Sequence, residues 1–200
     1  MSEEKQELVV KTEDEQAFEL VQREATALSK SQLVPKQFQN NVPDCMIAIE
    51  MAKRIGAAPL AVLQNIYIVH GKPSWSSQFI IAMINQCGRF HPIKFHNNGS
   101  EAYCYTTYKD NEEEIKGPVV NIEMAKKEGW LQKNGSKWQT MPELMLNYRA
   151  ATFFGRMYCP DLLMGMQSIE EISDIQANKE AQKPTFKTKE QLDEEFNLEQ

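Results

Sequence analysis

The thirteen residues from 126 to 138, KKEGWLQKNGSKW, combine four lysines and two tryptophans with two glycines, ahead of a predicted helix. The lysines are Lys126, Lys127, Lys133 and Lys137, and the tryptophans are Trp130 and Trp138. Lysines neutralise phosphates, indole rings stack on bases of any sequence, and a helix start offers free N–H groups to an anion. The segment therefore favours contact with a nucleic-acid backbone. Core tryptophans rimmed by solvated lysines remain the alternative.

Two other places repeat this chemistry on a smaller scale. Lys72 lies in a predicted turn, and Trp75 follows three residues later. Arg149 and Arg156 are seven residues apart on a predicted helix, so we expect them to share one face, distinct from the helix's apolar stripe. Two arginines on one face need anions, which phosphates or the carboxylates of a neighbouring subunit would supply.

Catalytic and metal-binding patterns are weak. His91 and His96 stand at odd spacing on a predicted strand, so their side chains should point to opposite faces. The sequence has neither a GxxxxGK[ST] nor a GxGxxG motif. The four cysteines are scattered without a CxxC pair, as in reduced core thiols: Cys45, Cys87, Cys104 and Cys159. We expect no enzyme activity, no cofactor and no metal site.

The net charge of -6 conceals a segregated distribution. Residues 1–15 carry six acidic and two basic side chains, and residues 168–200 carry nine acidic and four basic ones. The middle, 16–167, has 16 basic and 13 acidic side chains, a net charge of +3, and four of those acids cluster at 110–114. A basic body between acidic ends is compatible with a polyanionic partner, and equally with an ordinary solvated surface.

A chain of 200 residues with 42% hydrophobic residues is typical of one globular domain. It contains no apolar run long enough for a membrane span, and its acidic start does not resemble a signal peptide, so we expect an intracellular protein. We predict an acidic disordered segment at 1–15, a core domain at 16–175 and a flexible acidic tail at 176–200. Leu192, Phe196 and Leu198 give the tail a possible contact motif.

Apolar spacing predicts four helices. The first follows Phe18, Val21, Ala25 and Leu28, and the second runs from about Asp44 through Ile47, Met51 and Ile55 to a stop at Gly56. Ser76 or Ser77 should cap the third, which carries Phe79, Ile80, Met83, Ile84 and Cys87. The fourth spans about 141–158, and Thr140 and Glu143 should form its capping box.

Strand signals occupy the stretches between these helices. Residues 63–69, LQNIYIV, have the β-branched and aromatic composition of a strand, and 70–72 should form a turn that leads into 73–75. Segments 93–96, 102–109 and 115–122 should form an antiparallel β-meander. Helices, a meander and further helices predict an α+β fold, with the meander packed against a long helix.

Three separated blocks resemble the RecT family of phage single-strand DNA annealing recombinases. They are PLAVLQNIYIVHGKPSWSSQFIIAMINQCGRF at 59–90, GPVVNIEMAKKEGW at 117–130 and KWQTMPELMLNYRAATFFGRMYCPDLLMGM at 137–166. The resemblance covers roughly residues 15–175. It implies a DNA-binding protein that pairs complementary single strands without ATP during homologous recombination and holds the annealed duplex in an oligomeric ring or helical filament.

The resemblance also suggests positions and partners. The motif-matched candidates for DNA contact are Lys72, Trp75, Lys126, Lys127, Lys137, Trp138, Gln139, Arg149 and Arg156. The amphipathic helix at 15–30 is our candidate for the subunit contact. The tail at 176–200 would meet a host single-strand-binding protein or a phage exonuclease in the cytoplasm of a bacterial host.

Three other functions remain open. A single-stranded-DNA-binding protein would protect strands without annealing them, a metal-dependent nuclease would shorten DNA, and a pure scaffold would bind no nucleic acid.

Overall fold

The computed structural model describes residues 12–69, 71–132 and 135–181. The helices are α1 (Glu13–Ser29), α2 (Val42–Ile55), α3 (Pro59–Asn65), α4 (Ser77–Gln86), α5 (Ile122–Lys127), α6 (Lys137–Thr140), α7 (Pro142–Tyr158), α8 (Pro160–Leu163) and α9 (Ile169–Ala181). The strands are β1 (Ile66–Val69), β2 (Lys72–Trp75), β3 (Lys94–Asn97), β4 (Glu101–Thr107), β5 (Glu114–Lys116) and β6 (Val120–Asn121). The mixture of helices and antiparallel strands confirms the predicted α+β class.

α2 ends where the sequence indicates, but both helices begin earlier than predicted: α1 begins at Glu13, inside the segment 1–15 that was expected to be disordered, and α2 begins at Val42. Thr12 and Glu15 form a reciprocal capping box at the start of α1, and Gly56 ends α2 in the left-handed conformation, with φ 68°. The buried face of α2 differs from the predicted one, since it consists of Cys45, Ala48, Ile49 and Ala52. Ile47, expected in the core, is 60% exposed.

A two-stranded hairpin follows α3. β1 pairs antiparallel with β2, so that Ile66 faces Trp75 and Val69 faces Lys72. The strand predicted over 63–69 begins only at Ile66. Residues 63–65 belong to α3, because Pro59 starts a helix there and Val62 and Leu63 are buried on one of its faces.

The predicted meander is confirmed as the main sheet, but the single segment expected over 115–122 is wrong: it contains two short strands, β5 and β6, and Ile122 already begins α5. β3, β4 and β5 pair antiparallel in that order, and the short strand β6 returns to pair with the beginning of β4. Burial alternates along β4, so that Ala102, Cys104 and Thr106 face the core, where α7 packs on the sheet. Gly117 directly follows β5, and a Cβ atom added to it would lie 3.0 Å from Cδ2 of Phe154 on α7. The sheet and α7 therefore approach each other closely at this point.

The long helix is present, but its predicted capping box is wrong. Thr140 is the last residue of α6, so it does not adopt the extended backbone that a capping residue requires. Met141 precedes α7 instead, with no side-chain cap, and Pro142 fills the first turn as expected. The third predicted helix is confirmed as α4, where the Ser76 hydroxyl accepts a 3.1 Å hydrogen bond from the Phe79 N–H.

The chain's ends are only partly described. α9 continues to Ala181, so the first six residues of the predicted flexible tail, 176–181, belong to this helix, while residues 1–11 and 182–200 lie outside the described part. Within the described residues, no helix is long and apolar enough to cross a membrane.

Candidate nucleic-acid interface

The predicted lysines lie at the surface. Lys72 begins β2, Lys126 and Lys127 form the last turn of α5, and Lys137 begins α6, and all four are exposed. Lys127 forms a 2.8 Å ion pair with Glu123, and both side chains are more than 70% exposed. A pair so fully hydrated contributes little, so a phosphate can replace the carboxylate. Lys133 lies outside the described residues.

The loop that carries three of these lysines is folded around a pair of indoles. The rings of Trp130 and Trp138 lie 5.0 Å apart, and both residues are buried. The Ser136 hydroxyl donates a 2.7 Å hydrogen bond to the Trp130 carbonyl, and the Gln139 amide donates to the carbonyl of Leu131. Gln139 is itself exposed. These contacts hold the residues that follow α5 against the start of α6.

The candidate tryptophans are core residues. Trp75 is fully buried, its ring packs 5.2 Å from that of Phe79, and its indole N–H donates a 3.2 Å hydrogen bond to the Leu163 carbonyl. Trp138 is 1% exposed and donates its indole N–H to Asp174 at 2.9 Å. Since burial leaves neither ring a face for a base, these two tryptophans stabilise the fold of the region.

Arg149 lies inside the protein, on the buried side of α7. It is 5% exposed, its guanidinium lies 3.9 Å from the centre of the Trp130 ring, and it pairs with the carboxylate of Asp174. A second carboxylate, from Glu171, lies 3.6 Å away. Burial lowers the pKa of Arg149 from its ordinary value, while the charges of Glu171 and Asp174 oppose that change.

Arg156 reaches the same acidic helix from the surface. Its side chain is 38% exposed and pairs with Glu171, which is 2% exposed. The two arginines therefore do meet a common set of anions, but these are carboxylates of α9 in the same chain. In this arrangement Arg149 and Arg156 hold α9 against α7, and the expected separation of Arg149 from the packed face of α7 is wrong.

α9 connects the two lysine-bearing segments. Just before its first residue, the backbone N–H of Trp75 donates to the Gln167 carbonyl at 3.0 Å, and in its first turn Glu170 accepts a 2.7 Å hydrogen bond from the Ser77 hydroxyl. One turn further, Asp174 accepts from Trp138 of α6. α9 thus braces the hairpin of Lys72 and the loop of Lys126, Lys127 and Lys137 as parts of one structure.

The acids of α9 were missed as site residues from the sequence. Glu171 and Asp174 were included only in the charge sum of an acidic end. Their spacing of three residues places them on one helix face, and Arg149 and Arg156 are two turns apart on another helix. Matching those two faces is the signal that would have indicated the pairing.

The described residues contain no group of three or more His, Cys, Asp or Glu side chains arranged to hold a metal ion. His91 and His96 each have a local contact of their own. Nε2 of His91 lies 3.1 Å from a Glu112 carboxylate oxygen, and His96 stacks on Tyr103 with ring centres 4.8 Å apart.

Comparison with known proteins supplies the remaining observation. No curated protein matches the chain. Residues 88–185 match the RecT family, a segment that contains the main sheet, α7 and the braced helix α9. The match does not extend over 59–87, which is most of the first sequence block that carries the resemblance. The matched segment is 98 of the 200 residues, and through it the chain belongs to the RecT family.

Proposed function

We propose that this protein binds single-stranded DNA and anneals complementary strands without ATP, as part of phage-type homologous recombination. The observation that carries the proposal is the RecT match over residues 88–185, which supports a single-strand annealing protein in general. The matched segment includes α5 and α6, which present Lys126, Lys127 and Lys137.

The proposed contact with DNA is the lysine surface, defined as Lys72, Lys126, Lys127 and Lys137. These side chains are exposed, and α9 braces the segments that carry them. Lys133, which lies between two of them in sequence, is included in the proposal on its sequence position alone. Each lysine that neutralises a phosphate releases a counterion, so binding should weaken steeply as salt rises.

Contact through phosphates suits annealing for a chemical reason. Phosphate contacts fix the position of a strand but carry no sequence information, whereas base-edge contacts would select particular sequences. Lysine ammonium groups act as flexible point charges and leave the Watson–Crick edges free. A strand held in this way can test pairing with any complementary partner, and hybridisation itself provides the free energy.

We propose further that the protein works as a ring or filament built through the surface of α1 and α2. Phe18, Leu20 and Ile47 are at least 60% exposed. The two helices border an open groove of about 900 Å3, whose lining combines apolar side chains with charged ones from α2: Phe18, Val21, Met46, Ile47 and Met51 with Glu50, Lys53 and Arg54. Apolar exposure of this extent is typical of a contact surface. A head-to-tail interface of this kind gives rings or filaments.

The tail at 176–200 is proposed to contact a host single-strand-binding protein or a phage exonuclease in the bacterial cytoplasm. Its support is the sequence pattern of Leu192, Phe196 and Leu198 among acidic residues. The test is capture of either purified partner by the full chain and its loss on deletion of 182–200.

The main test mixes the purified protein with two complementary labelled oligonucleotides in the absence of ATP. We expect pairing faster than spontaneous annealing, with the acceleration falling as salt rises. Tight binding of single strands without faster pairing would replace annealing by strand protection. Metal-dependent shortening of the oligonucleotides would indicate a nuclease, and no binding at low salt would overturn the nucleic-acid function.

A further inference from the structure

Two tyrosines, a histidine and two lysines lie together on the face of the main sheet that points away from α7. We call this set the aromatic platform: Lys94, His96, Tyr103, Tyr105 and Lys116. The strand register makes these residues direct neighbours. Tyr105 on β4 pairs with Lys94 on β3 and with Lys116 on β5, and Tyr103 pairs with His96 on β3. The intervening residues of β4 are buried against the core, so the platform faces outward.

The rings of the platform are held in a fixed arrangement. The imidazole of His96 stacks on the Tyr103 ring with centres 4.8 Å apart and planes 21° apart. Nζ of Lys116 lies 3.7 Å from the centre of the same tyrosine ring, approaching from the strand on the other side of β4. Tyr103 is therefore occupied by its neighbours. His96 is exposed and Tyr105 is half-buried, so both remain accessible.

A groove of about 540 Å3 adjoins Tyr105. Its lining includes His91, Lys94, Tyr105, Glu112 and Glu114. Carboxylates repel phosphates but accept hydrogen bonds from the exocyclic amino groups of bases. The groove thus suits a base laid against Tyr105, with its phosphate directed toward Lys94.

We propose that the aromatic platform is a second contact surface for single-stranded nucleic acid, on which His96 and Tyr105 stack with bases while Lys94 and Lys116 pair with phosphates. This inference rests on the proposed function, because it assumes a protein that handles single strands. Aromatic rings beside cations on an open sheet face are the means by which proteins hold single strands of any sequence. Tyr103 is a positioning residue that fixes His96 and Lys116.

The charge pattern limits the extent of the platform. Along β4, the outward residues beyond the two tyrosines are Glu101 at one end and Thr107, which pairs with Glu114, at the other. The acidic positions at both ends repel a continuing backbone. The separation of residues 101 and 107 is roughly 20 Å at the usual rise of a strand, so the platform accommodates only a few nucleotides.

The test measures fluorescence anisotropy of a labelled mixed-sequence 20-nucleotide oligonucleotide with the full-length protein. H96A and Y105A should each weaken binding by roughly tenfold, the loss of one base stack. Y105F keeps the ring and should bind as the wild type does. K94A should make the slope of log affinity against log salt shallower by about 0.7, the value for one phosphate on a single strand.

The outcomes separate the platform from the proposed function. Wild-type affinity in folded H96A and Y105A would overturn the platform and leave annealing intact. A wild-type protein that neither binds nor pairs strands would overturn both. If Y105A fails to fold, ultraviolet cross-linking of the wild-type protein to the oligonucleotide decides, since cross-links in residues 94–116 support the platform and their absence there overturns it.

Discussion

The indole N–H of Trp138 donates a 2.9 Å hydrogen bond to the carboxylate of Asp174. The same carboxylate pairs with Arg149, whose guanidinium lies over the ring of Trp130. One acidic side chain therefore joins α6, α7 and α9 in a buried cluster. The cluster holds the lysine-bearing loop in place, so residues that resemble a DNA-binding set divide into a buried support and an exposed charged surface.

Substitution of Asp174 should destabilise the fold. D174A removes the nearest counter-charge of buried Arg149, leaving Glu171 at 3.6 Å, and removes the acceptor of the Trp138 N–H. Breaking a buried pair from one side typically costs 3–5 kcal/mol, and we expect a loss of about 3 kcal/mol in the free energy of unfolding. Urea denaturation followed by tryptophan fluorescence measures it.

D161A is the matched control for that experiment. Asp161 pairs with Arg89, but the two side chains are 54% and 43% exposed. An exposed pair contributes about 0–1 kcal/mol, so D161A should remain within about 1 kcal/mol of the wild type. Equal losses in D161A and D174A would show that the Asp174 cluster does not have the stabilising role assigned to it.

Neutralising the lysine surface should change the salt dependence of DNA binding without unfolding the protein. K126A, K127A and K137A each remove an exposed cation, so each should reduce the slope of log affinity against log salt by about 0.7. K36A is the control, because Lys36 is also exposed but lies in the turn between α1 and α2, away from the lysine surface in sequence and outside the α1–α2 groove. A slope unchanged in K137A but reduced in K36A would place the contact elsewhere.

Charges introduced into the α1–α2 groove should disrupt self-association. F18D and I47D place carboxylates on side chains that are 60% exposed, so monomer stability should change little. Sedimentation velocity should show smaller assemblies than those of the wild type. L33D serves as the control, since Leu33 is 70% exposed and does not line the groove. Assemblies of wild-type size in both groove variants would exclude this interface.

The buried thiols should resist alkylation until the protein unfolds. Burial raises the pKa of Cys104 and of Cys159 to about 12, so at pH 8 both remain protonated and enclosed in the folded state. Half-buried Cys87 should react first with iodoacetamide, as mass spectrometry of the labelled peptides would show. Labelling of Cys104 at the rate of Cys87 in native protein would contradict this order.

The raised pKa values of Cys104 and Cys159 also determine how the stability of the fold changes with pH. An unfolded thiol ionises near its ordinary pKa of 9.0, while the two folded thiols do so only near 12. Their contribution to stability is therefore complete below pH 9 and is lost as the pH rises toward 12. Replacing Cys159 with alanine should make the decline of the free energy of unfolding over this range shallower.

Local patterns in the sequence predicted most of the elements. The apolar stripe of α4 with its Ser76 cap, the Gly56 stop of α2 and the alternation along β4 are short-range signals, and the structure contains all three. The boundary of β1 and the start of α7 were placed wrongly, because α3 and α6 are short helices whose signals merge with those of their neighbours.

Local sequence patterns could not predict which distant residues pair with each other. Trp138 and Asp174 are 36 residues apart, and only the packing of α9 brings them together. For the same reason, Arg149 and Trp75 are typical of a nucleic-acid site by residue type yet lie in the core. The outward row of His96, Tyr103 and Tyr105 needs the strand register, which composition does not specify.

The central claim is that exposed lysines braced by α9 pair complementary strands. Its most direct test compares stopped-flow pairing of two labelled complementary oligonucleotides, without ATP, by the wild type and by a variant with Lys72, Lys126, Lys127 and Lys137 changed to glutamine. We predict that the wild type accelerates pairing over the spontaneous rate, while the folded variant does not. Equal acceleration by both proteins would contradict the account.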